Sequence, residues 1–212
     1  MAHAAHHKKP RKPEDYSAVL ASFHPQNNHL HAFMPKPDNI EYESQLNGEK
    51  ILLFLRQHPL VNLPWMFTAI VMVIAPLILL PFFPPFLALP GNFQFVLMLF
   101  WYLFTAGFVL ERSLVWFFNS FIITDERMID VDFYSIIFRK VNYAQLENIE
   151  DVNTQIGGVL FSLLDAGTVF IQTAAEVPQF QITKTPHPSA VAKLLNELVQ
   201  EEEQEKIEGR VR

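Results

Sequence analysis

The chain has 212 residues and a formal net charge of −6, and half of it is hydrophobic against 18% charged. An average soluble domain holds about 25% charged residues, so the composition points to a membrane protein. The chain contains no cysteine, which excludes disulfide and thiolate chemistry.

Residues 1–48 read as a mostly disordered arm, because "MAHAAHHKKPRKPEDY" offers almost nothing to bury. Lys8, Lys9, Arg11 and Lys12 form a small basic cluster. It reads as a solubilising tail, with contact to anionic lipid as the alternative. Six of the eight histidines lie in this arm: His3, His6, His7, His24, His29 and His31. Their spacing is loose and no element organises them, so no metal site is expected. No cleavable signal peptide precedes the first apolar stretch, and the first membrane helix is expected to serve as its own insertion signal.

Residues 49–115 read as a juxtamembrane segment and a two-helix transmembrane hairpin. Ile51–Leu55 is expected as a short strand or as an amphipathic helix lying in the interface. From Gln57 to Leu110 there is no Asp, Glu, Lys or Arg. One straight helix of that length would run about 80 Å, against a bilayer core of about 30 Å. Two crossings fit, at Leu60–Leu80 and from Phe93 to about Val115. The greasy connection "LPFFPPFLALPGN" stays near the headgroups. Pro81, Pro84 and Pro85 end the first helix, and Pro90 and Gly91 make the return.

Pro76 should kink the first helix, which is tolerated where neighbours re-satisfy the freed backbone groups. The polar residues of the pair are Asn62, Thr68, Gln94 and Thr105. A pair without ionisable groups is an anchor or a subunit interface rather than a transport path. Trp65 and Trp116 fit an interfacial aromatic belt, whereas Trp101 and Tyr102 sit deeper and are expected in helix–helix packing. The connection carries no basic residue, while Lys50, Arg56, Arg112 and Arg127 flank the pair. Both termini are therefore expected in the cytoplasm, with the chain in the cytoplasmic (inner) membrane.

Beyond Glu111 the pattern changes to period two, and residues 116–200 read as one domain. "WFFNSFIITDERMIDVDFY" holds two runs separated by Thr124–Arg127, and Met128–Phe133 alternates like a half-buried strand. "SIIFRKVNY" and Asn148–Thr154 follow as strands, then "GTVFIQTA" and "PQFQITK", joined by a polar turn at Ala175–Pro178. In "PSAVAKLLNELVQEEE", Val191, Leu194, Leu195 and Leu198 share one helix face, with Ser189 as the expected N-cap. Residues 201–212 read as a charged, frayed tail. The expected fold class is a membrane α-helical hairpin plus a mainly-β domain. That domain is a bent antiparallel sheet or partly open barrel, capped by a C-terminal α-helix.

Several local motifs occur in order: Ile123-Thr124 with Arg127-Met128-Ile129; Val141, Leu146 and Ile149-Glu150-Asp151-Val152; Ala166-Gly167-Thr168-Val169; and Thr185-Pro186-His187-Pro188. With the helix pair in front, they resemble the bacterial pleckstrin-homology-like (PH-like) domain family over about Glu111–Val199. The chain departs from that family at Phe133-Tyr134-Ser135, where a glycine is common, and at Thr124–Arg127, where more basic residues are usual. The resemblance implies a binding or assembly module, not an enzyme. It also implies that basic residues near the first hairpin contact a ligand or lipid, and the candidates are Arg127, Arg139 and Lys140. Against this, Ser113–Arg212 holds eight basic and fifteen acidic residues, and an acidic domain is repelled by an anionic surface.

No phosphate loop, His-Glu-x-x-His or Gly-x-Ser-x-Gly pattern occurs. Gly157-Gly158 reads as a turn. Asp130 and Asp132 share a strand face and read as solvated, as do Glu147, Glu150 and Asp151. No catalytic residue, metal or cofactor is expected. The expected role is a non-catalytic, membrane-anchored scaffold that presents an interaction domain. The alternatives are a lipid or small-ligand sensor and an accessory subunit of a transporter or membrane enzyme. Expected partners are the bilayer and a membrane or cytoplasmic protein, with self-association through the Phe-rich helices and no nucleic acid.

Overall fold

The computed structural model describes residues 16–25, 31–37, 45, 49–174 and 179–207. The basic cluster at Lys8–Lys12, four of the arm histidines, the turn at Ala175–Pro178 and residues 208–212 lie outside these. By internal contacts the chain divides into two units. One comprises Met1–His58, Ser120–Val131 and Val141–Arg212; the other comprises Pro59–Asn119 and Asp132–Lys140.

The first unit is built on two antiparallel sheets, of which only the facing ends of two strands, within residues 132–140, fall in the second unit. Strands β1 (Phe33–Pro35), β2 (Ile51–Arg56), β3 (Ser120–Thr124), β4 (Arg127–Phe133) and β5 (Arg139–Gln145) form a five-stranded sheet in chain order. Strands β6 (Ile149–Gln155), β7 (Ala166–Thr173) and β8 (Gln179–Pro186) form a three-stranded one. Both sheets feed a single core. Leu53, Leu55, Phe121, Ile123 and Met128 come from the first sheet, and Val169, Ile171, Phe180 and Ile182 from the second.

Helix α6 (Pro188–Ile207) closes this core with Val191, Leu194, Leu195 and Leu198, the face that the i, i+3, i+4, i+7 spacing marks out. It begins at Pro188, because proline's fixed φ suits the first helical position. Ser189 therefore lies in the first turn rather than at the cap. The helix also continues through Glu201–Gln204 to Ile207, so much of the expected tail is its last two turns.

The segment before the helix pair contributes structure where disorder was expected. Helix α1 (Ala18–Ser22) is capped by Ser17, whose hydroxyl accepts from the amides of Val19 and Leu20. Val19 and Leu20 enter the main core, and Ser17 donates to Glu197 of α6. Strand β1 pairs with β2, and Met34 is fully buried. A few apolar anchors suffice here because each docks on a surface already formed.

Of the two forms expected for Ile51–Leu55, the strand is the one present, over Ile51–Arg56. All six residues of β2 are buried, and it lies between β1 and β3 inside the sheet. Leu52 and Leu53 both reach the main core because the β2–β3 register shifts between Ile51 and Leu53. The opposite face carries a second cluster of Met34, Ile51, Phe54, Ile122 and Ile129. Met128 and Ile129 are thus both buried, so β4 begins as a two-sided core strand and then stays half-buried through Phe133 instead of alternating.

In the second unit, α2 (Leu63–Leu79) is flanked by 3₁₀ turns at Pro59–Asn62 and Leu80–Phe82. A short helix α3 (Pro84–Leu87) and the long α4 (Gly91–Phe118) follow. Only Asn119 separates α4 from β3. Strands β2 and β3 are direct partners, with Arg56 opposite Ser120. The helix pair is therefore an insertion at the closed end of one antiparallel strand pair.

Candidate functional site

Three places on the chain bear on function: the helix pair, the tip of the β4–β5 hairpin, and a corner of the β unit around β6–β7. Each is described by itself.

The helix pair contains two stretches, Pro59–Phe82 and Gly91–Phe118, long and apolar enough to cross a membrane. Their large side chains point outward; Phe67 and Phe100 are each about 70% exposed. Polar groups are used within the pair. Pro76 has no N–H to give the carbonyl of Met72, four residues back. The Trp101 indole N–H donates to that carbonyl at 2.8 Å, and the Tyr102 hydroxyl donates to Val73 O at 3.3 Å. This is the packing role read for Trp101 and Tyr102, and it explains why Pro76 is tolerated. Gln94 donates to the Phe86 and Leu89 carbonyls and so closes the α3 turn. The Trp65 indole donates to Asn62, Thr68 to Pro64 O, and Thr105 to Trp101 O. A cavity of about 420 Å³ lies beside Pro76, lined by Pro76, Leu79, Phe83, Phe86, Met98 and Trp101. Its wall is almost wholly apolar, which suits hydrocarbon and nothing charged.

The tip of the β4–β5 hairpin belongs to the same unit as the helices. The Tyr134 N–H donates to Phe138 O, and the Ser135 hydroxyl accepts from the Phe138 N–H. At the base of the tip, the Phe133 N–H donates to Asn119 Oδ1, and the Phe133 ring meets Phe118 at 5.5 Å. The tip side chains Tyr134, Ile136, Ile137 and Phe138 are all exposed, as are Arg139 and Lys140, which open β5.

Arg127 does something different. Its guanidinium makes a two-point pair with the fully buried carboxylate of Glu49, Nε–Oε1 at 2.9 Å and Nη2–Oε2 at 3.0 Å. It also lies over the Tyr143 ring. Thr124 completes the node. Its hydroxyl accepts from the Glu126 and Arg127 amides and lies 2.8 Å from Glu49 Oε1. Asp125 reinforces the same edge by accepting from the Lys50 amide and the Tyr16 hydroxyl. Arg127 thus fastens the β3–β4 turn to the start of β2. Arg139 and Lys140 lie in the other unit, so the three basic candidates divide into one structural residue and one exposed pair. Asp130 accepts from Asn142 on β5, and among the described residues no cluster of three His, Asp or Glu side chains suits a metal.

The β6–β7 corner carries helix α5 (Val159–Leu163), started by Gly158 at φ +87. Val159, Leu160 and Leu163 are exposed on it. Nearby, Asp165 and His187 both have positive φ. His187 Nδ1 lies 2.7 Å from Asp165 Oδ2, and its amide donates to Asp165 O. The Thr-Pro-His-Pro motif therefore locks the start of α6 to the start of β7. Gly167 is needed beside it, because a Cβ there would sit 2.9 Å from the Gln155 carbonyl oxygen. The His58 amide donates to Lys184 O. Burial, and secondarily the charge of His187, hold the His58 imidazole below its ordinary value.

The PH-like architecture of two antiparallel sheets and a closing helix agrees with a direct comparison. The bacterial PH domain family matches residues 59–199, more than half of the chain, and the chain belongs to that family. Such a domain indicates a binding function. Searches of curated proteins and of solved structures gave no match. The match begins at Pro59, so β1 and β2 precede it and extend the sheet from outside the family's span.

Proposed function

We propose that this is a non-catalytic, membrane-anchored binding protein. In this reading α2 and α4 cross the inner membrane, and the PH-like domain works as a scaffold on the cytoplasmic face. The observation that carries it is the helix pair itself: two long apolar helices with outward-facing side chains, inserted between paired strands. Exposed apolar surface on this scale is costly in water and favourable in hydrocarbon.

Pairing of β2 with β3 supports placing both termini on one side, since the chain leaves and re-enters the same sheet. Basic residues outside the connection, Lys50 and Arg112 among them, support the cytoplasm as that side. The partner in this reading is a membrane or cytoplasmic protein, or a second copy. Short tethers on both sides of the helix pair, Gln57 and His58 before it and Asn119 after it, raise the domain's effective concentration for partners in the same membrane.

Membrane pellets from cells producing the full chain, washed in alkaline carbonate, test the anchor. The protein should stay in the pellet and be released by detergent. Release by carbonate alone would refute membrane integration.

A further inference from the structure

We infer that the β4–β5 hairpin tip, residues 134–138, is a membrane-interface insertion loop, and that Arg139 and Lys140 contact anionic lipid headgroups beside it. This rests on the reading that α2 and α4 cross a membrane.

Four of the five tip residues are large and apolar or aromatic, and their exposures are high: Tyr134 68%, Ile136 56%, Ile137 84% and Phe138 70%. A hairpin tip facing water is ordinarily made of Asn, Asp and Gly. The backbone bonds between Tyr134 and Phe138 close the turn. The side chains are thus splayed outward by a defined turn, with no core within it to receive them.

Position supplies the occupant. The Phe133–Asn119 hydrogen bond and the Phe133–Phe118 ring contact tie the base of the tip to the last residues of α4. If α4 spans the bilayer, its end at Phe118 lies at the interface, and the tip lies there with it. Aromatic and aliphatic side chains next to two cations suit that layer. The rings sit at headgroup depth, the aliphatic chains reach the acyl boundary, and Arg and Lys meet phosphate. Asp132 is the acidic residue of this segment, against Arg139 and Lys140. The domain's overall acidity does not oppose this contact, because the covalent anchor, not long-range attraction, brings the tip to the surface.

The chain has no cysteine, so a single introduced one is unique. Ile137→Cys, and separately Ile136→Cys, would carry an environment-sensitive NBD probe on the full chain in liposomes. Leu103→Cys, exposed on α4, serves as the reference for spanning. Spin-labelled lipids quench from the bilayer and iodide quenches from water. Probes at Ile137 and Ile136 should be quenched by shallow spin-labelled lipid and shielded from iodide. The double change Arg139→Gln with Lys140→Gln should weaken that lipid quenching in anionic vesicles and leave it unchanged in neutral ones.

Leu103 quenched by lipid with both tip probes quenched only by iodide would overturn the insertion loop and leave the spanning helices standing. Tip probes shielded from both quenchers would also overturn it, by showing a protein or a second copy on the tip. Lipid quenching absent at Leu103 would overturn the spanning reading itself.

Discussion

The Arg127–Glu49 pair sets a measurable stake on the strand order of the five-stranded sheet. Glu49→Ala removes a carboxylate with no side-chain exposure and leaves a guanidinium only 18% exposed. Removing one member of a buried pair costs about 3–5 kcal/mol. Arg127 keeps its stacking over Tyr143 and some access to water, and the Thr124 hydroxyl keeps Arg127 O as an acceptor at 2.9 Å. The lower end, about 3 kcal/mol, is therefore expected. For a chain of this size that corresponds to a fall of about 6–12 °C in Tm. Thermal unfolding of the full chain in detergent, followed by circular dichroism of the strand signal, reads it directly. Glu49→Leu combined with Arg127→Met removes both charges and should recover most of the loss. A Tm within about 2 °C of the parent for Glu49→Ala would refute the buried pair and the placement of Glu49 against the β3–β4 turn.

Three further outcomes follow from the same structure. Since Arg56 stands opposite Ser120, replacing Gln57–Asn119 by Asn-Gly should give a water-soluble protein with a cooperative unfolding transition, whereas Ser113–Arg212 alone, which lacks β2, should not fold. An insoluble product from the first would contradict a helix pair inserted into a self-standing β unit, and sharp unfolding of the second would show that β2 is dispensable. Gly167→Ala should cost about 1–3 kcal/mol from overpacking against Gln155 O, and an unchanged denaturation midpoint would contradict that close approach. The depressed His58 value has a definite sign: the unfolded chain binds a proton at about pH 6.5 and the folded chain resists it. The His58 contribution is complete above that pH and declines as pH falls toward the folded value. His58→Gln should reduce the loss of Tm between about pH 7 and pH 5, and an identical loss in both proteins would remove His58 from the acid response.

What the sequence disclosed and what it hid divide along physical lines. The helix pair is legible because an uncharged run from Gln57 to Leu110 has few uses in water. Helix α6 is legible because its 3.6-residue period is local, and the strands from β3 onward because alternation and turn residues are local too. Strand β2 is legible only as one of two alternatives, since a continuous apolar run looks alike in a sheet centre and in an interface. Its partner β3 lies beyond the whole helix pair. Glu49 and Arg127 are 78 residues apart, so the charge of Arg127 is visible and its destination is not. The hairpin tip is hidden differently. "SIIF" reads as the start of a strand, and only the turn bonds between Tyr134 and Phe138 show that these side chains belong to none.

The most direct test is the sidedness of two unique cysteines in the full chain, probed with a membrane-impermeant maleimide on spheroplasts. Ala88→Cys lies in the connection between α2 and α4, and Glu150→Cys is exposed on β6. Ala88→Cys should label on intact spheroplasts and Glu150→Cys only after lysis. Labelling of both before lysis, or of Glu150→Cys alone, would contradict a membrane-spanning helix pair with its PH-like domain in the cytoplasm.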